Sequence, residues 1–594
     1  MQPLGDLASR ATRHVGVQLV RAGRLLTGEE LDVVVDGAVR IENGILTGVG
    51  RWADFGSEAV AVAVFPNGTL LPGLIDTHAH ISLPADRRPY EDVAHDTDEL
   101  MALVAVRNLD RHLRAGVTTI RDQGGRNHVT FSVREAINRG YIIGPRLLLA
   151  GRPLTQHRGH MYWCNGEADG RAEIRQTIRV LVAEGADHIK IVASGGGTAG
   201  TVPFRRSYTV DELRVAVEAT HELDRLTAMH CRARTSIANA LDAGADCVEH
   251  AEFLVANPVS KHGPSAAATG RIEYEPRLGE RLASSGTFVS FTLQAFGLDT
   301  LRMLEARGPS MSSEERSELS SLSFYYDALV ELLHHLRRDG VGPRLTISTD
   351  AGPFDTEFGR LTLGIKLAVS TGMTPQEAVK SVTCIAARCC GIEQLVGSIE
   401  VGKVADIVIV DGNPLEDIRR LDEVVAVFTR GVSLSLGPSP NPLPTPIGLS
   451  TAHIKSDSQT RTISEMGWSA SLRSHPRPLG LRARPSRHAG EHASVGPGTR
   501  SSRRGTEPCA AAGGRQVQAR DSHTRPIPEH LPIAEAIEGD DLGARQLVAD
   551  RMTNAERQLG LYLRQRQKPV RPTLLSAGDG SRDRERGDVG ANPP

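Results

Sequence analysis

Between about residues 70 and 392 the sequence alternates short strand-like runs with longer helical patterns, and this alternation constrains the fold more than any other feature. Helices between successive strands are typical of βα units and a parallel sheet. Eight strand-like runs lie in this part of the chain: Leu74–His78, Val117–Asp122, Arg146–Gly151, His188–Ala193, Leu226–Cys231, Cys247–Phe253, Thr287–Thr292 and Leu345–Asp350. Eight such units predict an α/β fold, a (β/α)₈ TIM barrel, over residues 70–392.

Several helices in this region have recognisable patterns. Thr209 and Thr374 are each followed three residues later by glutamate, which is the capping-box pattern of a helix N-terminus. Glu99–Ala115 carries apolar residues at helical spacing. The seventh unit is the least regular, because Ser310–Ser323 is rich in serine and is predicted to be a loop.

Both ends of the predicted barrel are flanked by β-rich sequence. Residues 15–69 contain short strand-like runs separated by Gly or Asn-Gly turns. Residues 393–436 contain the β-branched run Asp406–Val410, which precedes a DGNP turn. Neither patch is long enough to bury a good core alone. We therefore expect the two patches to form one small composite β-sandwich.

The two ends of the chain differ from the rest in composition. Residues 1–14 and 566–594 are predicted to be disordered, as are residues 437–526, which are rich in Pro, Arg, Ser and Gly. Residues 527–565 are predicted to form a short helical segment. There the run PEHLPIAEAIEGDDLGARQLVADRM resembles the last helices of the effector domain in GntR-type transcription regulators. The rest of that family's sequence is missing, so we interpret the tail as a fusion or readthrough product.

Composition argues against several classes of partner. A formal net charge of −2 and a pI near 6.9 give no global excess of positive charge for binding nucleic acid. The seven cysteines show no CxxC motif and no disulfide-like spacing, which is typical of a reducing compartment. The sequence contains no run of about 18 apolar residues, so it predicts no membrane helix. We expect a cytoplasmic protein with no nucleic-acid partner and no membrane partner.

The apolar run LPGLIDTHAHI ends in His78 and His80 at the close of the first predicted strand. Alternate side chains of a strand share a face, so this HxH pair (His78 and His80) can hold one metal ion. An exposed edge strand would explain the pair equally well. Four further polar residues lie in or at the ends of later strands: Lys190, His230, His250 and Asp350. Because the carboxyl ends of barrel strands meet at one face, the six strand-end residues together favour a metal site over packing.

The sequence resembles the amidohydrolase superfamily over about residues 15 to 435. Seven stretches carry the resemblance: LPGLIDTHAH, RAGVTTIRD, GADHIKIVASGG, MHC, ALDAGADCVEHAEF, STDAG and VGSIEVGKVADIVIVDGNPLEDI. The resemblance implies a (β/α)₈ barrel with a composite β-sandwich built from both ends of the chain. The pattern of strands and helices predicts the same arrangement independently.

The resemblance also implies a role for each strand-end residue. The HxH pair would bind the more buried of two metal ions, and His230 and His250 would bind the second. Lys190 would carry a carbamate, formed with CO₂, that bridges both ions, and Asp350 would be both a metal ligand and the catalytic base. Imidazole and carboxylate ligands suit Zn²⁺, with Mn²⁺ or Co²⁺ as substitutes. Two divalent ions are therefore the expected cofactors.

One missing residue bears on the subclass. Mononuclear deaminases of this superfamily carry a glutamate three residues after the strand-five histidine, whereas His230 is followed by Cys231, Arg232 and Ala233. The missing glutamate and the presence of Lys190 favour a binuclear hydrolase that cleaves an amide-type C–N bond. A mononuclear deaminase or cyclic amidase on the same barrel is the first alternative. A non-catalytic barrel that acts through a regulatory tail is the second.

The segment GRPLTQHRGHMYWCNGEADG after the third strand resembles the branch that contains prolidase-like and Xaa-Arg carboxypeptidase-like enzymes, although typical members read GGH where this chain reads HRGH. A small-molecule amide is then the expected partner, such as a dipeptide or an N-acyl amino acid. Four residues are predicted to bind substrate: Arg152, His157, His160 and Tyr208. Many relatives form dimers or larger rings, so a homo-oligomer is expected as well.

Overall fold

The computed structural model describes residues 16–56, 60–256, 270–295, 297–434 and 436. The strands in these ranges are β1 (Gln18–Thr27), β2 (Asp32–Glu42), β3 (Ile45–Arg51), β4 (Ala61–Pro72), β5 (Leu74–Ala79), β6 (Val117–Asp122), β7 (Arg146–Leu149), β8 (His188–Val192), β9 (Leu226–Ala233), β10 (Cys247–Val255), β11 (Arg271–Ile272), β12 (Phe288–Phe291), β13 (Leu345–Ile347), β14 (Ile407–Asp411), β15 (Val424–Thr429) and β16 (Val432–Leu434). The segments predicted over 1–14, 437–526, 527–565 and 566–594 lie outside the described residues.

The α-helices of the described ranges lie mainly between the strands of the middle region. They are α1 (Tyr90–Val93), α2 (Asp98–Arg114), α3 (Val129–Asn138), α4 (Gly170–Glu184), α5 (Val210–His221), α6 (Arg234–Ala243), α7 (Pro276–Ser284), α8 (Leu298–Arg307), α9 (Ser313–Arg338), α10 (Leu361–Ser370), α11 (Pro375–Ser381) and α12 (Cys384–Cys389). Helices α5 and α11 begin with the predicted capping boxes at Thr209 and Thr374. No helix in the described part of the chain is long and apolar enough to cross a lipid bilayer.

Eight parallel strands form the core of the described middle region. They pair in the orders β5-β6-β7 and β8-β9-β10-β12-β13. Each of the eight predicted strands is present, with its ends shifted by three residues or fewer. Apolar side chains from these strands and from the surrounding helices share one large buried cluster. Parallel strands with helices between them and packed around them are an α/β fold of the TIM-barrel type.

Main-chain hydrogen bonds join the two groups of strands at both junctions. Asp350 N donates to His78 O at 2.8 Å, and His80 N donates to Ala351 O at 2.8 Å, so the segment after β13 is tied to β5. At the other junction, Leu154 exchanges two hydrogen bonds of 2.8 Å with residues of β8. The strand ends that carry the predicted metal ligands are therefore fixed to one another by backbone contacts.

The prediction of a loop over Ser310–Ser323 is wrong. Helix α9 begins at Ser313 and runs for 26 residues. Ser312 accepts a hydrogen bond from Glu315 N, and the Glu315 carboxylate accepts one from Ser312 N at 2.9 Å. This capping box and the buried apolar residues of the C-terminal half stabilise the helix, and together they outweigh the weak helix propensity of serine.

The flanking strands pair into one continuous ladder, and the composite β-sandwich stays a prediction. The order of this ladder is β16-β15-β14-β4-β1-β2-β3, so both ends of the chain contribute as expected. Strand β4 is the junction, because it pairs parallel with β1 and antiparallel with β14 and thereby merges the two patches into one ladder. Buried side chains from both patches share one small core: Val20, Ile41, Leu70, Ile407 and Phe428 are among them.

Candidate metal centre

The six strand-end residues all lie at buried positions. His78 is in β5, His80 follows that strand directly, and Asp350 comes three residues after β13. Lys190 is in β8, and His230 and His250 are in the neighbouring strands β9 and β10. The imidazole rings form a chain, in which His78 lies 4.7 Å from His250 and His250 lies 4.6 Å from His230, measured between ring centroids. The structure thus brings the predicted histidines into one cluster.

The HxH pair and Asp350 form the first half of this cluster. One ligand atom from each of these three residues lies within 4.8 Å of the other two. His78 Nε2 is 3.3 Å and His80 Nε2 is 3.5 Å from Asp350 Oδ1. His80 Nδ1 donates to Gly124 O at 3.0 Å, and His78 Nδ1 lies 2.7 Å from the Glu249 carboxylate. Since these acceptors hold the protons on Nδ1, the Nε2 lone pairs are left for a cation.

His230 and His250 form the second half. His230 Nε2 donates to Gly195 O at 3.1 Å, so its Nδ1 carries the lone pair. That Nδ1 is 3.0 Å from His250 Nε2, while His250 Nδ1 lies 2.8 Å from Thr292 Oγ1. Two ligand nitrogens about 2.1 Å from one tetrahedral ion would be about 3.4 Å apart, so this pair needs to move apart only slightly to bind one ion.

Three buried polar atoms of the cluster make no hydrogen bond to the described residues: His78 Nε2, Lys190 Nζ and Asp350 Oδ1. Buried polar groups are normally paired, because an unpaired one loses its hydration without compensation. Imidazole nitrogens and a carboxylate oxygen are donors suited to a divalent transition metal. The unpartnered atoms therefore fit a site built for metal ions.

Electrostatics keep the ligands in the protonation states that a metal requires. Burial, together with the charge on Lys190, lowers the pKa of His78 well below its usual range and the pKa of His80 to about 3. Burial also lowers the pKa of His230 and of His250. Neutral imidazoles are the metal-binding form. Burial lowers the pKa of Lys190 as well, which favours the uncharged amine.

Two of the six residues have unusual backbone conformations. His250 has a φ of 67° and Asp350 a φ of 53°, both in the left-handed region. For a residue with a side chain such a conformation costs about 1–3 kcal/mol and persists only where surrounding contacts impose it. The backbone around both side chains is therefore held by the fold in an orientation that an ordinary strand would not give.

Of the four predicted substrate-binding residues, His160 lies beside the metal cluster. Its ring centroid is 4.9 Å from that of His230, and the side chain is buried. The other three contact the protein itself. Arg152 forms an ion pair with Glu184 at 2.9 Å, Tyr208 donates to the main chain at 2.8 Å, and His157 is largely exposed. A substrate role for these three stays a prediction.

Several residues around the cluster were not predicted from the sequence. Glu249 binds His78 and accepts a hydrogen bond from Arg121 Nη2 at 2.8 Å, so a buried carboxylate supports the HxH pair. Arg232 and Glu252 form a buried ion pair two residues beyond His230 and His250. The period-two alternation of a strand predicts that Arg232 shares a face with His230. It likewise predicts that Glu252 shares a face with His250.

The chain is similar to known proteins over the region that contains these residues. The Amidohydrolase family matches residues 69–434, well over half of the chain. Ochratoxinase from Aspergillus niger is 26% identical over 469 residues, which cover 73% of this chain and 89% of that protein. Its crystal structure matches with a TM-score of 0.57 at 24% identity, over 70% of this chain and 95% of that one. A crystal structure of a Xaa-Pro dipeptidase with bound methionine in the active site matches with a TM-score of 0.58 at 24% identity, over 70% of this chain and 100% of that one.

The matched region contains all six strand-end residues. The superfamily resemblance that the sequence motifs indicate is thereby confirmed. This chain belongs to the amidohydrolase family and is a metal-dependent hydrolase of amide-type carbon–nitrogen bonds.

Proposed function

We propose that the protein holds two divalent metal ions and hydrolyses the amide bond of a small substrate such as a dipeptide or an N-acyl amino acid. The observation that carries the proposal is the set of unpartnered buried atoms at His78, Lys190 and Asp350. The names of the matched proteins, an ochratoxinase and a Xaa-Pro dipeptidase, support a substrate with an amide-type bond.

The two halves of the cluster divide the ligands between two ions. The HxH pair and Asp350 would hold the first ion, and His230 Nδ1 and His250 Nε2 would hold the second. Zn²⁺ suits this donor set, and Mn²⁺ or Co²⁺ would substitute for it. When bound, such ions polarise a carbonyl oxygen and lower the pKa of water towards about 7.

Lys190 would link the two halves as a carbamate. Its amine is buried and has no hydrogen-bond partner among the described residues, and burial lowers its pKa. The neutral amine adds to CO₂, an N–C bond forms, and one proton is released. The product carries two oxygens and one negative charge. It could therefore offer one anionic oxygen to each of the two cations.

Asp350 would move the proton during hydrolysis. Burial raises the pKa of this carboxyl, and the nearby charge of Lys190 lowers it. The carboxylate accepts a proton from the attacking water and later gives it to the leaving nitrogen, so that an acid and an amine are released. The distances of 3.3 Å and 3.5 Å from its Oδ1 to Nε2 of His78 and of His80 support this role.

His160 would donate a hydrogen bond to the substrate. Thr198 N donates to His160 Nδ1 at 3.3 Å, and the Thr198 hydroxyl lies 2.9 Å from the same nitrogen. That hydroxyl already accepts from Met161 N at 3.0 Å, so its own proton is available for His160. With two donors at Nδ1, the ring proton sits on Nε2. The resulting N–H is a donor for a substrate oxygen next to the metal cluster.

The eight parallel strands would close into one barrel around this site. Hydrogen bonds between Asp350 and His78 and between Leu154 and β8 support closure at both junctions. A closed barrel explains why ligands from both groups of strands meet at one face.

A substrate screen tests the activity. The full chain, loaded with Zn²⁺, is assayed against Xaa-Pro and Xaa-Arg dipeptides, N-acyl amino acids and anilides, with Lys190→Ala as the matched variant. Release of an amine by the wild-type chain, with activity lost in Lys190→Ala, is the expected result. Full activity of Lys190→Ala with one ion per chain would instead support the mononuclear alternative.

A further inference from the structure

Arg232 and Glu252 form a buried ion pair that the proposed chemistry does not use. Arg232 Nε lies 2.9 Å from Glu252 Oε1, and Arg232 Nη2 lies 2.8 Å from Glu252 Oε2. The two residues are only 6% and 2% exposed. The Nε and Nη2 edge of the Arg232 guanidinium is taken up by the Glu252 carboxylate. Removing two charges from water is costly, and such a pair is weak grounds for a purely stabilising role.

The pair bridges an irregular stretch of β10. His250 pairs with Cys231 of β9, but the next paired residue, Leu254, faces Ala233. Residues 251–253 therefore bulge out opposite the single residue Arg232. The middle residue of the bulge, Glu252, is the one that Arg232 binds. Three residues in this stretch have a left-handed backbone: His250, Ala251 and Phe253, with φ of 67°, 52° and 53°.

A bulge of this kind determines where His250 points. In a regular strand the side chain of His250 would follow the pleat of β10, whereas here its Nε2 faces His230 Nδ1 at 3.0 Å. The ion pair closes the bulge on the carboxyl side of His250. Thr292 binds the other ring nitrogen and limits rotation of the imidazole.

We infer that Arg232 and Glu252 are positioning residues that hold the bulge in β10 and so aim His250 at the ion shared with His230. This inference rests on the proposed role of His230 and His250 as ligands of one ion. Tyr325 on α9 hydrogen-bonds to both members of the pair, so this helix is connected to the same support. The arrangement assigns a structural cause to half of the metal centre.

Glu252→Gln tests the inference, because glutamine has the same shape and no charge. Zn²⁺ is titrated into the metal-depleted full chain in competition with a chromophoric chelator, and the metal-depleted variant is crystallised. We expect binding of one ion to weaken by about 10-fold, the lower end of the loss seen when a partner of a ligand is removed, because Glu252 acts on His250 only through the backbone. We also expect His230 Nδ1 and His250 Nε2 to separate to more than about 4 Å, which is too far for both to bind one ion.

Two further variants separate positioning from general stability. Arg232→Lys keeps the charge but loses the two-pronged contact with Glu252, so it should weaken binding of the same ion by a smaller factor. This variant provides the test if Glu252→Gln fails to fold. Arg146→Lys alters a comparably buried pair, with Asp406 at 3.0 Å, remote from the cluster. Binding of both ions should be unchanged in Arg146→Lys.

Unchanged Zn²⁺ binding in Glu252→Gln, with the two nitrogens still 3.0 Å apart, would overturn the inference. An equal loss of binding in Arg146→Lys would also overturn it, because general destabilisation would then be the cause. A wild-type chain that takes up a single ion would contradict the two-ion function instead. In that case the nitrogen separation in the Glu252→Gln crystal still decides whether the pair positions His250.

Discussion

The two halves of the metal centre are built in different ways. The HxH pair comes from one strand end, where alternation alone places two imidazoles on one face. His230 and His250 come from two strands, and their approach depends on a left-handed backbone at His250 and a bulge after it. One half is thus determined by regular local geometry, and the other by long-range contacts that hold an irregular strand.

Strand β10 supports both halves through its acidic residues. Glu249 binds His78 Nδ1 at 2.7 Å, and Glu252 binds Arg232 beside the second half. The lesson is that a site residue and its supporting residue need not lie on the same element. A single strand here orients ligands of both proposed metal ions.

Replacing a ligand of the regular half should have the largest effect. His78→Ala removes an imidazole that no neighbouring donor replaces, and we expect kcat/KM to fall on the order of 10³-fold or more. The measurement is amide hydrolysis by the Zn²⁺-loaded full chain, with metal content determined on the same sample. The exposed His334→Ala is the matched control and should keep full activity.

Graded removal of metal should distinguish the halves next. The first ion has the HxH pair and Asp350, whereas the second has two imidazoles, so chelator should remove the second ion at lower concentration. If the free metal concentration is about 1,000 times Kd, loss of one ion lowers the free energy of unfolding by about 4 kcal/mol. Thermal unfolding at increasing chelator concentration measures this, and a single-step loss would contradict unequal halves.

Glu249→Gln should have an intermediate effect that is confined to the first half. Glutamine keeps the shape but removes the charge that fixes His78 Nδ1, so we expect about 10- to 100-fold weaker binding of one ion. Competitive Zn²⁺ titration measures the change. Asp406→Asn changes a buried carboxylate remote from the cluster and should leave both affinities unaltered.

Thr292→Val should have the smallest effect and act on the second half. The hydroxyl lies 2.8 Å from His250 Nδ1, and one such hydrogen bond contributes about 0.5–1.5 kcal/mol, or about 2- to 10-fold in affinity. Thr287→Val removes a hydroxyl bonded to Ala245 O at the opposite end of the same strand. Equal losses in the two variants would mean that Thr292 does not orient His250.

The difference between the halves also explains what the sequence could predict. The strands, the capping boxes and the HxH pair follow from local periodicity, and all were found where expected. Alternation places Arg232 and Glu252 on the faces of His230 and His250, but the left-handed stretch that makes their contact necessary leaves no periodic signal in the sequence. The start of α9 was not predicted, because the many serines there have low helix propensity. The capping-box pattern of Ser312 and Glu315 is nevertheless present in the sequence.

The most direct test of a two-ion centre is anomalous diffraction from crystals of the full chain grown with Zn²⁺ and bicarbonate, recorded at the zinc edge. The structure predicts two peaks, one against the HxH pair and Asp350 and the other between His230 and His250. Density for a carbamate on Lys190 should connect them. A single peak at the HxH pair, with an unmodified lysine and full amide hydrolysis by the dissolved crystals, would contradict the account.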